Sequence, residues 1–270
     1  MGTAAPTTDL DSVTDDDYAA FCVGVRRLCR LDLTSYRRGQ MERRIRSHAQ
    51  ACGKPALLDY LALLAHDEAE VERFVDRVTI NVSQLWRNPL QWQTLAETAI
   101  PLIACGGRIR AWSAGCSYGA EAYTLAAVCR QAAPAARLAV RGSDIDERML
   151  ARARIGHFSD ADMRTVPPPA RARWFQHGPS GWQVTPELVE LVRFEAEDLL
   201  SCRPPREAYD LITCRNTVIY LTDQSRGELH RKLAAALRPG GYLMVGATER
   251  IVSAEIYGLE QAHPFTYRKA

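Results

Sequence analysis

The chain has 270 residues, with 34 basic and 32 acidic side chains and a formal net charge of +2. This length accommodates one large domain or two modest ones, and 47% hydrophobic with 24% charged residues is typical of globular proteins. The composition excludes disordered, collagen-like and fibrous classes. No apolar run reaches the roughly 18 residues of a membrane span, and the near-neutral charge disfavours a dedicated nucleic-acid binder.

The first 18 residues contain five aspartates and no basic residue, which is not the pattern of a secretory signal. The eight cysteines are scattered, without a C-x-x-C pair and without a His/Cys cluster at metal-ligand spacing. We therefore expect reduced thiols in a cytoplasmic protein, no membrane insertion and no metal site.

Residues 15–78 have apolar side chains at three- and four-residue spacing, as in Leu57, Tyr60, Leu61 and Leu64. This periodicity is typical of amphipathic helices. The segment Cys52-Gly53-Lys54-Pro55 predicts the end of one helix and the start of the next. We predict an all-helical N-terminal domain over residues 1–78, followed by a linker over 79–90.

Strands and helices alternate over residues 91–270, which favours an α/β domain with a doubly wound, Rossmann-like parallel sheet. Strands are predicted at 108–113, 137–142, 208–214 and 241–246, and helices at 121–130, 147–154 and 223–237. The alternation is interrupted over 156–194, which contains Pro167-Pro168-Pro169. We predict a small, partly β subdomain inserted there.

The loop 113–119 lies between a predicted strand and a predicted helix and contains Gly115 and Gly119. Small residues allow close approach of a ligand to the backbone, and a helix N-terminus offers free N–H groups. By itself the loop fits an ordinary turn equally well.

Asp144 ends the next strand, where an acid commonly accepts from two ribose hydroxyls, although Asp144 or Asp146 could instead cap the following helix. The glycine loop 113–119 and the acid Asp144 together favour a site for a nucleoside cofactor.

Polar residues also follow the next two strands. Asp198 would end a further strand that precedes 208–214, where its carboxylate suits an adenine amine, and Arg215 and Asn216 follow the strand 208–214, between two apolar runs. An ordinary strand-to-helix turn is the alternative. We favour a cofactor-facing role, because a polar pair between apolar runs is unusual away from a site.

In combination these segments resemble the chemotaxis-receptor glutamate O-methyltransferases of the CheR type, which use S-adenosylmethionine and release S-adenosylhomocysteine. The resemblance covers nearly the whole chain. Its motifs are Asn81–Arg87, Trp112–Gly119, Ser143–Asp146, Cys214–Asn216 with Ile219-Tyr220, and Leu237–Gly241.

The resemblance implies cofactor ligands at Asn81, Ser83, Arg87, Gly115, Glu121, Asp144, Asp198, Leu199, Arg215 and Asn216. Three positions depart from the family pattern. Ser83 replaces the more usual threonine and keeps the hydroxyl, Ala120 stands where the family has a glutamate, and Asp198 replaces an asparagine. Because of the change at Ala120, the ligand role falls to Glu121.

Methylation of a glutamate needs no strong base, since a carboxylate is ionised at neutral pH. Catalysis then consists mainly of positioning the carboxylate, methyl carbon and sulfonium in line. Arg87 and Tyr220 are the predicted catalytic residues that steer the incoming carboxylate. None of the six histidines has a partner at useful sequence spacing.

The resemblance also implies that the helical domain docks on the cytoplasmic domain of methyl-accepting chemotaxis receptors, with the inserted β subdomain as a second contact. Residues 26–46 contain eight arginines and only two acids. A solvated helix face is the plain alternative. The predicted docking residues of this monomeric protein are Arg26, Arg27, Arg30, Arg37, Arg38, Arg43, Arg44 and Arg46.

Three other functions compete. A nucleic-acid methyltransferase would typically carry an Asn/Asp-Pro-Pro-aromatic motif where this chain has Cys214-Arg215-Asn216-Thr217. A non-catalytic S-adenosylmethionine-binding regulator is compatible with the changes at Ala120 and Asp198. A nicotinamide dehydrogenase is the weakest, because the Gly-x-Gly-x-x-Gly pattern is missing from the glycine loop.

Overall fold

A computed structural model of the chain describes residues 11–79 and 83–270, with side chains from Asp17 onward. The described residues form two compact units. The first consists of 11–79 together with Tyr220–Thr222, and the second of 83–219 and 223–270. None of the described helices is both long and apolar enough to cross a membrane.

The first unit is all-helical, as the sequence predicts. Its helices are α1 (Asp11–Cys29), α2 (Arg38–Ala51), α3 (Leu57–Leu64) and α4 (Glu68–Thr79), with a 3₁₀ turn at Leu33–Ser35. Three aromatic rings form its centre: Phe21 stacks on Tyr60, and Phe74 meets both rings edge-on. These rings come from α1, α3 and α4, so the apolar periodicity of the sequence brings three helices to one core.

The segment Tyr220–Thr222 joins this unit through its backbone. The Arg37 N–H donates to the Tyr220 carbonyl at 2.8 Å, the Thr222 N–H donates to the Ser35 carbonyl at 2.9 Å, and Leu221 forms an isolated antiparallel bridge with Tyr36. Three residues distant in sequence thus complete the N-terminal unit.

The second unit begins with helix α5 (Pro89–Thr94), which continues through a π-helical turn (Leu95–Ala99) into α6 (Ile100–Ala104). The alternating part then comprises β1 (Arg108–Ala114), α7 (Ala120–Ala132), β2 (Arg137–Asp144), α8 (Glu147–Ile155), α10 (Pro186–Glu190), β6 (Val192–Ala196), β7 (Tyr209–Cys214), α11 (Asp223–Ala236) and β8 (Leu237–Val245). The strands β9 (Leu259–His263) and β10 (Thr266–Lys269) follow.

Seven strands form one sheet in the order β6-β2-β1-β7-β8-β10-β9. The first five are parallel, and β10 pairs antiparallel with both β8 and β9. The chain moves outward from β1 to β2 and β6, and then returns to β7 on the other side of β1. In such sheets the ligand crevice lies at the carboxyl ends of the strands where the order reverses. The fold therefore places the expected ligand crevice at the carboxyl ends of β1 and β7.

The interruption between α8 and α10 contains a second sheet of three antiparallel strands. It comprises β3 (His157–Phe158), β4 (Phe175–Gly178) and β5 (Gly181–Val184), in the order β3-β5-β4, with helix α9 (Pro168–Trp174) between β3 and β4. The predicted fold class, a doubly wound sheet with a small β insert after an all-helical domain, is confirmed. The antiparallel hairpin β9–β10 was not predicted, because its residues alternate weakly between polar and apolar.

Helix α7 forms the centre of the second unit. Every residue from Ala120 to Cys129 is buried, which a helix can achieve only when other elements cover it on all sides. Its abundance of alanine permits the close packing. Since α7 begins directly after the β1 loop, a fully buried helix positions the N–H groups at the candidate site.

Candidate functional site

The loop between β1 and α7 is held in an unusual backbone conformation. Gly115, Ser117 and Gly119 all have positive φ angles, of 80°, 49° and 88°. The N–H groups of Gly115 and Cys116 both donate to the Ser143 carbonyl of β2, at 2.8 and 2.9 Å. A Cβ on Gly115 would lie 2.6 Å from Thr217 Oγ1, so a larger residue does not fit. Glycine is required here by both conformation and space.

Asp144 at the end of β2 is buried against this loop. Its Oδ2 accepts from the Ser117 N–H at 2.7 Å, and its Oδ1 accepts from the Asp146 N–H at 3.0 Å. Burial raises the pKa of Asp144, although these backbone hydrogen bonds oppose the effect. A carboxylate has about four lone-pair sites, so about two stay available for ligand hydroxyls. The helix cap is supplied by Asp146, whose side chain accepts from Arg148 N and Met149 N.

Glu121 in the first turn of α7 lies in a buried polar network. Its Oε1 accepts from Ser113 Oγ at 2.9 Å and from Thr213 Oγ1 at 2.6 Å, which connects the ends of β1 and β7. Its Oε2 lies 3.5 Å from an Arg215 guanidinium nitrogen. The carboxylate is thus committed to protein groups and stabilises the strand ends under the glycine loop.

The guanidinium of Arg215 is also bound to other groups of the protein. One terminal nitrogen donates to the Arg87 carbonyl at 2.8 Å, to Asn88 Oδ1 at 2.9 Å and to Gln91 Oε1 at 2.8 Å. The guanidinium carbon also lies 5.1 Å from the centroid of the Trp92 ring. Burial lowers the pKa of Arg215, and Glu121 partly opposes the effect. The geometry makes Arg215 the connection between the end of β7 and the start of α5.

The described part of the predicted linker is attached to the glycine loop and to α7. The Tyr118 hydroxyl lies within hydrogen-bonding distance of two acceptors, the Ser83 carbonyl and Asp162 Oδ1, and the Trp86 backbone N–H donates to Thr124 Oγ1 at 3.0 Å. Asn81, a predicted cofactor ligand, lies outside the described residues. Ser83 and Arg87 therefore lie beside the elements that carry Gly115 and Arg215.

The predicted adenine-binding residues follow β6. Asp198 Oδ1 accepts from the Leu200 N–H at 2.9 Å, and Leu199 is buried. The Glu197 N–H donates to the Asp144 carbonyl at 2.8 Å. This hydrogen bond brings the segment that carries Asp198 and Leu199 to the same sheet edge as Asp144.

The two predicted catalytic residues belong to different units. Tyr220 is part of the first unit, where the Arg44 guanidinium lies 5.6 Å from its ring centroid. Arg87 is part of the second unit, where its carbonyl also accepts from Trp92 Nε1 at 3.0 Å.

Glu249 is a site residue that the sequence reasoning missed. It is buried beyond the end of β8, where its Oε2 accepts from the Asn216 N–H at 2.9 Å and from the Gly246 N–H at 2.6 Å. Its Oε1 is buried with no hydrogen-bond partner in the described part of the chain. Burial raises the pKa of Glu249 against these hydrogen bonds. An acid three residues after a strand-ending glycine was the available sequence signal.

The carboxyl edge of the sheet thus combines a tight glycine loop, a partly free carboxylate at Asp144 and a buried segment around Leu199. Backbone N–H groups, a carboxylate and an apolar wall are the groups that hold a nucleoside. The remaining buried charges, Glu121, Arg215 and Glu249, secure the strand ends. The edge therefore fits a nucleoside cofactor.

Two family sequence models match the chain. The model described as "CheR methyltransferase, SAM binding domain" matches residues 81–263, and "CheR methyltransferase, all-alpha domain" matches residues 16–79. A "Chemotaxis protein methyltransferase" of Listeria innocua is 33% identical in an alignment of 257 residues that covers 94% of this chain and 98% of that protein. "Chemotaxis protein methyltransferase 1" of Pseudomonas aeruginosa is 27% identical over 89% of this chain and 92% of its own.

Among solved structures, an S-adenosylmethionine-dependent methyltransferase from Mesorhizobium loti is 25% identical. The match covers 56% of this chain and 54% of that protein, with a TM-score of 0.31. The fold assignment rests on the strand order and the family matches.

Proposed function

The chain belongs to the CheR methyltransferase family, and from this premise we propose that it methylates glutamate side chains of chemotaxis receptors. It is an S-adenosylmethionine-dependent methyltransferase. The observation that carries the glutamate substrate is the match of nearly the whole chain to chemotaxis protein methyltransferases. We further propose that it acts as a monomer in the cytoplasm.

The site supports specific roles for the cofactor-binding residues. Asp144 would accept from the ribose hydroxyls, because two of its lone-pair sites are not used by Ser117 and Asp146. Leu199 would pack against the adenine, and Asp198 would accept from its amine. Gly115 would allow the cofactor to lie against the loop backbone.

Other predicted ligands fit an indirect role better. Glu121 and Arg215 are bound to each other and to Ser113, Thr213 and the α5 start. They would keep the floor of the cofactor site rigid. The backbone N–H of Asn216 donates to Glu249. Asn216 would present its side chain to the cofactor from the end of β7. Ser83 and Arg87 would close the site from the linker.

The bound cofactor supplies an electrophilic methyl group. The residues of the chain must align the glutamate carboxylate with this methyl group. They must also exclude water, because the negative carboxylate and the positive sulfonium neutralise each other during the transfer, which a dry site favours. We assign Arg87 and Tyr220 to steering the carboxylate. No proton has to be removed, since the carboxylate is already ionised.

Tritiated-methyl transfer from S-adenosylmethionine into receptor cytoplasmic fragments tests the substrate. The expected product releases volatile label in mild base, as a methyl ester does. Label in RNA or DNA instead would support the nucleic-acid methyltransferase. Cofactor binding by calorimetry without transfer to any receptor fragment would support the non-catalytic regulator. The ion pair between Glu121 and Arg215 favours that alternative, because it engages two predicted cofactor ligands with each other.

Calorimetry with S-adenosylhomocysteine tests the cofactor site. Asp144→Asn should weaken binding about tenfold or more, because it replaces a charged acceptor of two ribose hydroxyls. Glu260→Gln, at an exposed position on β9, is the matched control and should leave affinity unchanged. Equal affinities of wild type and Asp144→Asn would contradict the ribose role.

The arginine cluster supports docking on an acidic partner. Arg26, Arg27, Arg30, Arg37, Arg38 and Arg43 are exposed, whereas Arg44 and Arg46 are half-buried. Several are paired: Arg26 with Asp32, and both Arg38 and Arg46 with Glu42. Within the described residues, Arg27, Arg30 and Arg43 form no ion pair, so these three are the most available for a partner.

Charge reversal tests the docking. Arg27→Glu with Arg43→Glu should raise KM for the receptor fragment, and added salt should weaken the wild-type reaction, because exposed charges are screened. The control is Arg108→Glu with Arg137→Glu, at the amino-terminal edge of the sheet and also exposed. Equal KM values for both pairs would refute the arginine docking surface.

A further inference from the structure

Three side chains that the methyltransferase site does not use meet in the N-terminal unit. His48 lies near the end of α2, Cys52 is the residue that caps this helix, and Glu70 lies in the first turn of α4. His48 and Cys52 are four residues apart, so they face the same side of α2. Each can offer one ligand atom, and these atoms lie within 4.8 Å of one another.

The distances within this cluster match those of a coordinated ion. His48 Nε2 lies 2.9 Å from Glu70 Oε1, Cys52 Sγ lies 3.3 Å from the same oxygen, and Cys52 Sγ lies 3.9 Å from His48 Nε2. A circle through three atoms at these separations has a radius of about 2.0 Å, against zinc–ligand distances of about 2.0–2.3 Å. An ion slightly above their plane would reach all three with little movement.

The hydrogen bonding around Glu70 Oε1 is crowded. His48 Nε2, Cys52 Sγ and the Tyr60 hydroxyl all donate to this one oxygen, the last at 2.8 Å. A carboxylate oxygen has about two lone-pair sites for these three donors. One cation would replace the hydrogens of His48 and Cys52, and the Tyr60 hydroxyl would remain bound.

The rest of the surroundings already orients the carboxylate. The Arg73 Nε donates to Glu70 Oε2 at 2.6 Å, so Oε1 is the oxygen directed at His48 and Cys52. The hydrogen bonds from Arg73 and Tyr60 hold the Glu70 carboxylate in place, and such outer partners orient a metal ligand.

We propose that His48, Cys52 and Glu70 form a binding site for a thiophilic divalent cation such as Zn²⁺. Nitrogen, thiolate and carboxylate together form a ligand set typical of zinc. On binding, the Cys52 thiol loses its proton to solvent, and the neutral imidazole of His48 shifts its proton from Nε2 to Nδ1, so that Nε2 can coordinate the ion. His48 is partly exposed, so water can supply the fourth ligand. The ion links the end of α2 to the start of α4.

Metal titration of the full chain tests the proposal. Protein stripped with a chelator is titrated with Zn²⁺ by calorimetry and with Co²⁺ by absorption, where a thiolate ligand produces a charge-transfer band in the near ultraviolet. We expect one ion per chain, release of about one proton at neutral pH, and a higher unfolding temperature with Zn²⁺.

Two variants and two controls identify the ligands. Cys52→Ser should abolish the charge-transfer band, and both Cys52→Ser and His48→Gln should weaken binding at least about tenfold. Cys105→Ser and His66→Gln change exposed residues outside the cluster and should bind as wild type. Circular dichroism verifies the fold of each variant. A missing charge-transfer band in wild type, or unchanged binding by Cys52→Ser, would overturn the site.

Discussion

Replacing His230 with glutamine should make the second unit less sensitive to acid. His230 lies in α11, is 4% exposed and packs against the edge of the Tyr257 ring. Burial, with a smaller contribution from Arg226, lowers the pKa of His230 to about 4 from its ordinary 6.5. The imidazole therefore stays neutral in the folded chain at a pH where the unfolded chain binds a proton.

The sign and size of the effect follow from this difference in pKa. The contribution of His230 to the free energy of unfolding is greatest above pH 6.5. It falls as the pH decreases toward 4, because the imidazole then binds a proton more readily in the unfolded chain than in the folded one. At about 1.4 kcal/mol per pKa unit, the wild type should lose about 2 kcal/mol between pH 7.5 and pH 5 through His230 alone. A neutral glutamine has no such dependence.

Urea denaturation followed by tryptophan fluorescence measures this, because all five tryptophans lie in the second unit, between residues 86 and 182. The stability difference between wild type and His230→Gln should shrink or reverse by about 2 kcal/mol from pH 7.5 to pH 5. His177→Gln removes an exposed imidazole and is the matched control. A difference for His230→Gln that is equal at both pH values would refute the reasoning.

Arg215→Met should destabilise the second unit by about 3–5 kcal/mol in the same urea assay, because it leaves the Glu121 carboxylate buried without its cation. Adding Glu121→Gln to that variant should restore part of the loss, and no restoration would contradict a coupled pair. Gly119→Ala should cost about 2–4 kcal/mol, since φ is 88° and the new Cβ would lie 2.8 Å from a side-chain carbon of α8. With a thiol reagent, exposed Cys105 should react first, whereas Cys129, whose pKa burial raises to about 12, should react only on unfolding. Rapid reaction of Cys129 in the native chain would count against this packing.

Local spacing determined much of the fold. Three- and four-residue apolar spacing and the Cys52–Pro55 break predicted the N-terminal helices, and strand–helix alternation predicted the parallel sheet. Both are local properties of the chain, because side-chain periods of 3.6 and 2 follow from backbone geometry alone. The position of the glycine loop and Asp144 at one edge of the sheet could be predicted for the same reason, since both follow the ends of parallel strands.

Tertiary structure alone decided which polar groups meet. The structure pairs Glu121 with Arg215 and groups His48 and Cys52 with Glu70, and no sequence motif predicted either contact. Glu121 and Arg215 are 94 residues apart in the sequence, and His48 and Glu70 are 22 residues apart. Such pairings depend on how whole elements pack, and no local spacing encodes them. The side-chain period specifies the face of each element, and the packed core specifies which faces come together.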